Sequence, residues 1–328
     1  MDANIIEVTN LSKYFDDFQA VKGISFAVKP GEVFGFLGPN GAGKTTTINM
    51  LTGLARPTAG AIRINGSDAV QDIAAVQQMI GIVPDESNLY DELSGYDNLV
   101  FCASLYGVRK RERERRAEEL LEQFGLADTG RRPFKAYSKG MKRKLTIAAG
   151  IIHEPQILFL DEPTTGIDVE SARQIRRLVR ELNDGGTTIF LTTHYIEEAE
   201  RLCDRVGFIV GGKVVRIDRV TALMGEDEKE YIIEFTLGEG NSRPEAGLDQ
   251  AMLQAFPGVK INRVDHRRLR VIPEKREPIA GFIKFFEDAG QPVYEAKIIR
   301  PTLEDVFVRI TGIEIAKMKR EKEGRRKR

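Results

Sequence analysis

Short, nearly continuous apolar runs punctuate the first two-thirds of the chain. Residues 33–37, 80–83, 157–160 and 188–192 form four of them, each four or five residues long. Runs this short and without alternation predict strands buried on both faces. Stretches of helical spacing lie between several of them, the first over 44–54, stopped by Arg56-Pro57. Strand and helix alternating in this way predict a mainly parallel sheet covered by helices. Residues 5–8, 24–28 and 61–64 add an antiparallel β part, and Gly211-Gly212 within 206–217 marks a hairpin. From Ser94 to Ile152 the pattern is almost all helical, which predicts a helical subdomain (about 86–152) inserted into the sheet domain. Its dense charge run, Arg109 to Arg116, reads as a solvated helix face, with Glu112 and Arg116 spaced for an i,i+4 pair.

A polar stretch at 225–229 reads as a linker. Beyond it come strand 231–237, helix 248–256, strands 259–264 and 269–272, helix 278–289 and strand 293–299. That βαββαβ order is the one of a ferredoxin-like unit, used by many unrelated proteins and so silent on chemistry. A short helix over 302–310 closes it, with Glu304 and Asp305 read as part of a capped surface helix. The expected organisation is a first domain over 1–224, an α+β accessory domain over 230–312, and a basic tail over 313–328.

Charge changes the picture by exclusion. Lys plus Arg equals Asp plus Glu at 49 each, without the basic excess of a general nucleic-acid binder. Cys102 and Cys203 are too few and too distant for a disulfide framework or zinc site. The N-terminus lacks a secretory pattern, and no apolar run approaches the ~18 residues that span a bilayer. The expected location is cytoplasmic, with any pore belonging to another chain. From Lys317 onward, eight basic residues face two acidic ones. Such a segment is expected to be disordered, and serves either to meet an anionic membrane surface or merely to solubilise.

Candidate chemistry begins at Gly38-Pro39-Asn40-Gly41-Ala42-Gly43-Lys44-Thr45, which fits G-x-x-x-x-G-K-[ST] after a strand and before a helix. The glycines let the backbone curl so that its amides point at phosphate oxygens, and the helix beginning at Lys44, Thr45 and Thr46 adds its positive end. Lys44 is placed to reach the β- and γ-phosphates and the Thr45 hydroxyl to ligate Mg²⁺. Residues 157–160 then end in Asp161-Glu162. One carboxylate can orient Mg²⁺ and the next can polarise water as general base, a division that suits phosphoryl transfer. His194, ending 189–193, is positioned to contact the γ-phosphate, whereas His153 and His266 carry no chemistry.

In this order the segments resemble the ATP-binding subunits of ABC transporters, over about residues 4–222. Tyr137-Ser138-Lys139-Gly140-Met141 is similar to the family's signature, usually Leu-Ser-Gly-Gly-Gln. Thr165-Gly166-Ile167-Asp168 resembles the loop after the acid pair, and Thr193-His194 the switch histidine. The resemblance implies a P-loop NTPase of ABC type that hydrolyses ATP with Mg²⁺. It also implies a head-to-tail dimer, a homodimer by expectation, in which Ser138 and the Gly140 amide of one subunit meet ATP held by the other. Separate membrane permease subunits would dock it peripherally on the inner face of the membrane. Aligning Leu11-Ser12-Lys13-Tyr14-Phe15 with the family gives Phe15 as the adenine-stacking residue, with Tyr14 the alternative. Arg300-Pro301-Thr302-Leu303-Glu304-Asp305-Val306-Phe307 is similar to the end of subunits from the drug- and antibiotic-export branch.

Two departures stand out. Asp85 occupies the position of a usual Gln that touches Mg²⁺ and senses the membrane subunit; an aspartate can still ligate the metal but brings a negative charge. Lys139 replaces Gly in the signature, either adding charge to the phosphate site or pointing to solvent, and Met141 replaces Gln. The competing reading is a soluble ATPase of this type acting on ribosomes or DNA. No long coiled-coil insertion and no second cassette favour it.

Overall fold

A computed structural model describes residues 4–225, 232–238, 245–274, 277–299 and 302–313. Apart from Gly225 and Ile313 at their edges, the expected linker and basic tail lie outside the described residues, as do Arg300 and Pro301. The chain divides into two compact units, one of residues 1–220 with 310–328 and one of 221–309.

In chain order the first unit runs β1 (Ile6–Phe15), β2 (Phe18–Val28), β3 (Val33–Leu37), α1 (Lys44–Leu51), β4 (Ala59–Ile64), β5 (Ser67–Asp68), α2 (Ile73–Met79) and β6 (Ile80–Val83). Then follow α3 (Gly95–Leu105), α4 (Lys110–Gln123), α5 (Lys139–Ile151), β7 (Ile157–Asp161), α6 (Val169–Asp184), β8 (Thr188–Thr193), α7 (Ile196–Leu202), β9 (Arg205–Val210) and β10 (Lys213–Arg219). A further helix, α8 (Val220–Gly225), crosses into the second unit.

Two sheets form. The antiparallel one has the order β2-β1-β4-β5, and the other β10-β9-β3-β8-β7-β6. In the latter all pairs are parallel except the β9–β10 hairpin, which turns on Gly211 and Gly212, both at positive φ. The first strands are longer than their apolar patterns predict. β1 continues to Phe15 through three register shifts and an Asn10 held at φ 48°, and such bulges erase the alternation that marks a strand. Helix α1 is shorter than predicted, because Gly53 at φ 78° after the Thr52 cap ends it before Pro57 is reached.

Phenylalanines join the two sheets. Phe26 of β2 stacks on Phe34 of β3 at 5.7 Å, and Phe34 lies 5.5 Å from Phe190 of β8. Phe34, Phe159 and Phe190 are fully buried within one core cluster. Helices α3, α4 and α5 fill the span expected to be helical. The charge run there is only partly a solvated face. Arg116 pairs with Glu112 at 2.7 Å but also reaches the Ile152 carbonyl and Glu154, which ties α4 to the end of α5.

The second unit contains β11 (Ile232–Leu237), α9 (Glu245–Ala255), β12 (Lys260–Arg263), β13 (Arg268–Ile272), α10 (Ile279–Asp288), β14 (Val293–Ile299) and most of α11 (Leu303–Thr311). Its antiparallel sheet has the order β12-β13-β11-β14. Phe235, Leu248, Met252, Phe282 and Phe286 make its core. Glu234 of β11 is buried between Arg270 at 2.9 Å and Lys297 at 3.1 Å. Thr302 and Asp305 cap α11 reciprocally.

Candidate active site

Register in the parallel sheet creates the site. Leu37 pairs with Thr193 across β3 and β8, and Asp161 pairs with Thr192 across β7 and β8. The three strands therefore end level, and the residues that follow them, Gly38, Glu162 and His194, leave from one carboxyl edge. Ligand sites of open parallel sheets lie at that edge.

The phosphate loop is pinned from behind. A Cβ on Gly38 would lie 2.1 Å from the Ile209 carbonyl oxygen, and Gly43, at φ 103°, would bring one to 2.8 Å from that of Ala20. Only glycine fits either position. Lys44 is buried, its ammonium donating to the Gly38 and Pro39 carbonyls at 2.9 and 3.2 Å and lying 3.3 Å from Glu162 Oε1. Ala42 faces the core, and its amide bonds the Pro39 carbonyl at 3.2 Å.

Glu162 is a non-glycine residue at φ 51°. Its Oε2 lies 2.5 Å from His194 Nδ1 and accepts the Thr165 hydroxyl at 2.9 Å. Burial pushes its carboxyl up, but the His194 bond, the Lys44 charge and the Thr165 hydroxyl together outweigh burial and hold it below the ordinary 4.5. Asp161 is buried and accepts a hydrogen bond from the Thr192 hydroxyl. Behind them Glu198 accepts the hydroxyls of Thr164 at 2.6 Å and Thr193 at 2.7 Å; its own carboxyl is raised by burial.

A hollow of about 450 Å³ collects Phe15, Asn40, Gly41, Gly43, Lys44, Thr45, Thr46, Asp85, Glu162 and His194. It also contains Phe18 and Ala20, to which sequence reasoning gave no role, and Thr165 of the loop after the acid pair. Phe18 pairs with Phe15 across the β1–β2 turn, so the symmetrical run Phe15-Asp16-Asp17-Phe18 was its signal. Tyr14 does not line the hollow, nor do Asp161, Ser138 and Gly140. Ser138 caps α5 by accepting the Met141 amide at 3.2 Å, while Gly140 packs on α6, where a Cβ would lie 2.2 Å from Ser171 Oγ. A larger hollow of about 600 Å³, beside Leu120, Ile152 and Leu182, contains none of this chemistry. Elsewhere His153 stacks on Tyr106 at 3.6 Å and bonds the Ile80 carbonyl, a structural role.

Residues 21–165 match the ABC transporter family. Two relatives extend the match across the chain. The daunorubicin resistance ATP-binding protein DrrA3 of Streptomyces coeruleorubidus is 38% identical over 94% of this chain and 96% of that protein. The linearmycin resistance ATP-binding protein LnrL of Bacillus subtilis (strain 168) is 40% identical over 94% and 98%. The chain belongs to the ABC transporter family. Among solved structures, an ATP-binding subunit of an ABC transporter superposes with a TM-score of 0.62 at 32% identity, covering 68% of this chain and 92% of that one. A dimeric post-hydrolysis state of the ATP-binding cassette MJ0796 bound to ADP and Pi reaches 0.60 at 25% identity, covering 66% and 98%.

As a member of that family the chain is an ATPase subunit that takes ATP with Mg²⁺. These similarities favour transport over a soluble ATPase acting on ribosomes or DNA. The donor chemistry fits the cofactor. Among the described residues no group of three or more His, Cys, Asp or Glu gathers as a resident metal site. Thr45 and Asp85 both line the hollow and offer hard oxygen donors of the kind Mg²⁺ accepts beside phosphate oxygens and water, whereas Asp161 is buried and does not line it. No helix among the described residues is long and apolar enough to cross a membrane.

Proposed function

We propose that this chain energises export of a small organic molecule, as the names of its antibiotic-resistance relatives suggest, working as a head-to-tail dimer beneath separate membrane subunits on the inner face of the membrane. The observation that carries the reading is Glu162, held between Lys44, His194 and Thr165 at the mouth of a phosphate loop. In this reading the loop amides and Lys44 bind the phosphates, and Phe15 stacks on the base. Thr45 and Asp85 would hold Mg²⁺, with Asp161 orienting it through its water shell, and the metal would supply charge neutralisation of the phosphates. Glu162 takes a proton from the attacking water as general base, and His194 keeps that carboxylate ionised and aimed. Most of the catalysis is positioning and electrostatics.

The dimer draws its support from what the hollow lacks. Ser138 and the start of α5 offer a helix N-terminus suited to an anion, yet they do not line the hollow of their own chain. A second copy arranged head to tail supplies them. The test is to tag the protein in its native host, solubilise membranes gently and identify what co-purifies. A polytopic membrane protein in stoichiometric amount supports the reading. Recovery with ribosomes, nucleic acid or nothing refutes the transport role and leaves the ATPase chemistry standing.

A further inference from the structure

Arg143 lies on α5, five positions after Ser138, and is almost completely buried. Its guanidinium faces no carboxylate in hydrogen-bonding contact. All five of its N–H donors are used on backbone carbonyls from two separate segments. Nε donates to Pro163 at 2.8 Å, and Nη2 to Asp161 at 2.7 Å and Glu162 at 2.5 Å. Nη1 donates to Pro84 and, at 3.2 Å, to Asp85.

Three consecutive carbonyls converge on one guanidinium where the chain is bent at Glu162, whose φ of 51° disfavours any residue with a Cβ. On the other side of that bend the Glu162 amide bonds the Thr192 carbonyl at 3.1 Å. Its carboxylate meets Lys44 and His194. The backbone of Glu162 is thus clamped between β8 and Arg143.

We propose that Arg143 is a positioning residue for hydrolysis. Through its fork of carbonyl bonds, the helix that begins at Ser138 and the loop at Pro84-Asp85 together set where the Glu162 carboxylate stands. A displacement of either segment shifts the guanidinium, and with it the bent backbone of the base. Lysine cannot substitute, because a compact ammonium cannot hold two separated segments with a planar fork. The inference rests on the reading of Glu162 as general base.

The test compares the full-length proteins carrying Arg143→Lys, Arg143→Ala and Glu162→Gln in steady-state ATPase assays, with ATP binding measured by a fluorescent ATP analogue. The expected result for Arg143→Lys is a kcat lower by about 10- to 100-fold, as for a misplaced reacting group, with KM and analogue binding little changed. Guanidinium ion added to Arg143→Ala restores part of kcat, and methylammonium, which has charge without the fork, does not. A wild-type kcat in Arg143→Lys overturns the proposal. So does a variant that fails to fold, or a loss that guanidinium leaves unrepaired, since either makes Arg143 a structural brace only. If Glu162→Gln itself retains turnover, it is the general-base reading that falls, a result distinct from any shown by the Arg143 variants.

Discussion

Two buried glutamates, Glu162 just past the end of β7 and Glu198 in α7, are pushed in opposite directions. Burial pushes Glu162 up, but the hydrogen bonds of His194 and Thr165 and the charge of Lys44 outweigh it and hold the carboxyl below its ordinary value. It therefore stays ionised as pH falls past 4.5, and the stability it lends is present above that value and lost as pH drops through the lower folded one. His194→Ala removes the strongest of those partners. The expected outcome is a kcat lower by about 10²- to 10⁴-fold, with the acid limb of the residual rate at higher pH in single-turnover assays. An unmoved limb would show that His194 does not tune the base. Glu198, by contrast, meets two neutral hydroxyls and is raised by burial. A raised acid contributes stability that is full below about 4.5 and lost as pH rises through its folded value. Urea unfolding of Glu198→Gln should therefore show the variant gaining on the parent as pH rises above 4.5, and a constant difference would contradict the sign.

Helix and strand contacts explain residues that motif reading alone assigns to ligand. Gly140 was expected at the nucleotide, yet within one chain its missing side chain is what lets α5 lie against Ser171 of α6. Gly140→Ala should displace the start of α5 and cost about 1–3 kcal/mol by overpacking, read from thermal unfolding. Adding Ser171→Gly should return most of that stability. Recovery of ATPase activity in step with stability would mean that packing is the whole role of Gly140; stability without activity would retain a place for its amide at the phosphate. The aromatic contact between sheets makes a simpler case. Phe190 touches Phe26, Phe34, Phe36 and Phe159 with no exposed surface. Phe190→Ala should destabilise by about 3–5 kcal/mol. Because β8 carries Thr192 and Thr193, the same change should also lower kcat in the protein that remains folded.

At the scale of the assembled molecule, the prediction concerns two copies. Glu162→Gln should bind ATP without turnover and accumulate as an ATP-dependent dimer in size-exclusion chromatography. Adding Ser138→Glu places a negative charge where the partner's phosphates are expected, and should return that protein to monomer while analogue binding to each phosphate loop persists. A dimer that survives the second change would rule out the head-to-tail arrangement. The phosphate loop was fully legible in the sequence because its function resides in eight contiguous residues whose backbone shape is set by glycine. The buried strands were legible because short apolar runs have few other uses, and Gly211-Gly212 announced its hairpin for the same local reason. What joined Lys44, Glu162 and His194 was the register of β3, β7 and β8, a long-range pairing that no local spacing records. Arg143 shows the limit most plainly. Between Lys142 and Lys144 it reads as surface charge, and only the face of α5 that turned inward, onto five carbonyls from two distant segments, made it part of the site.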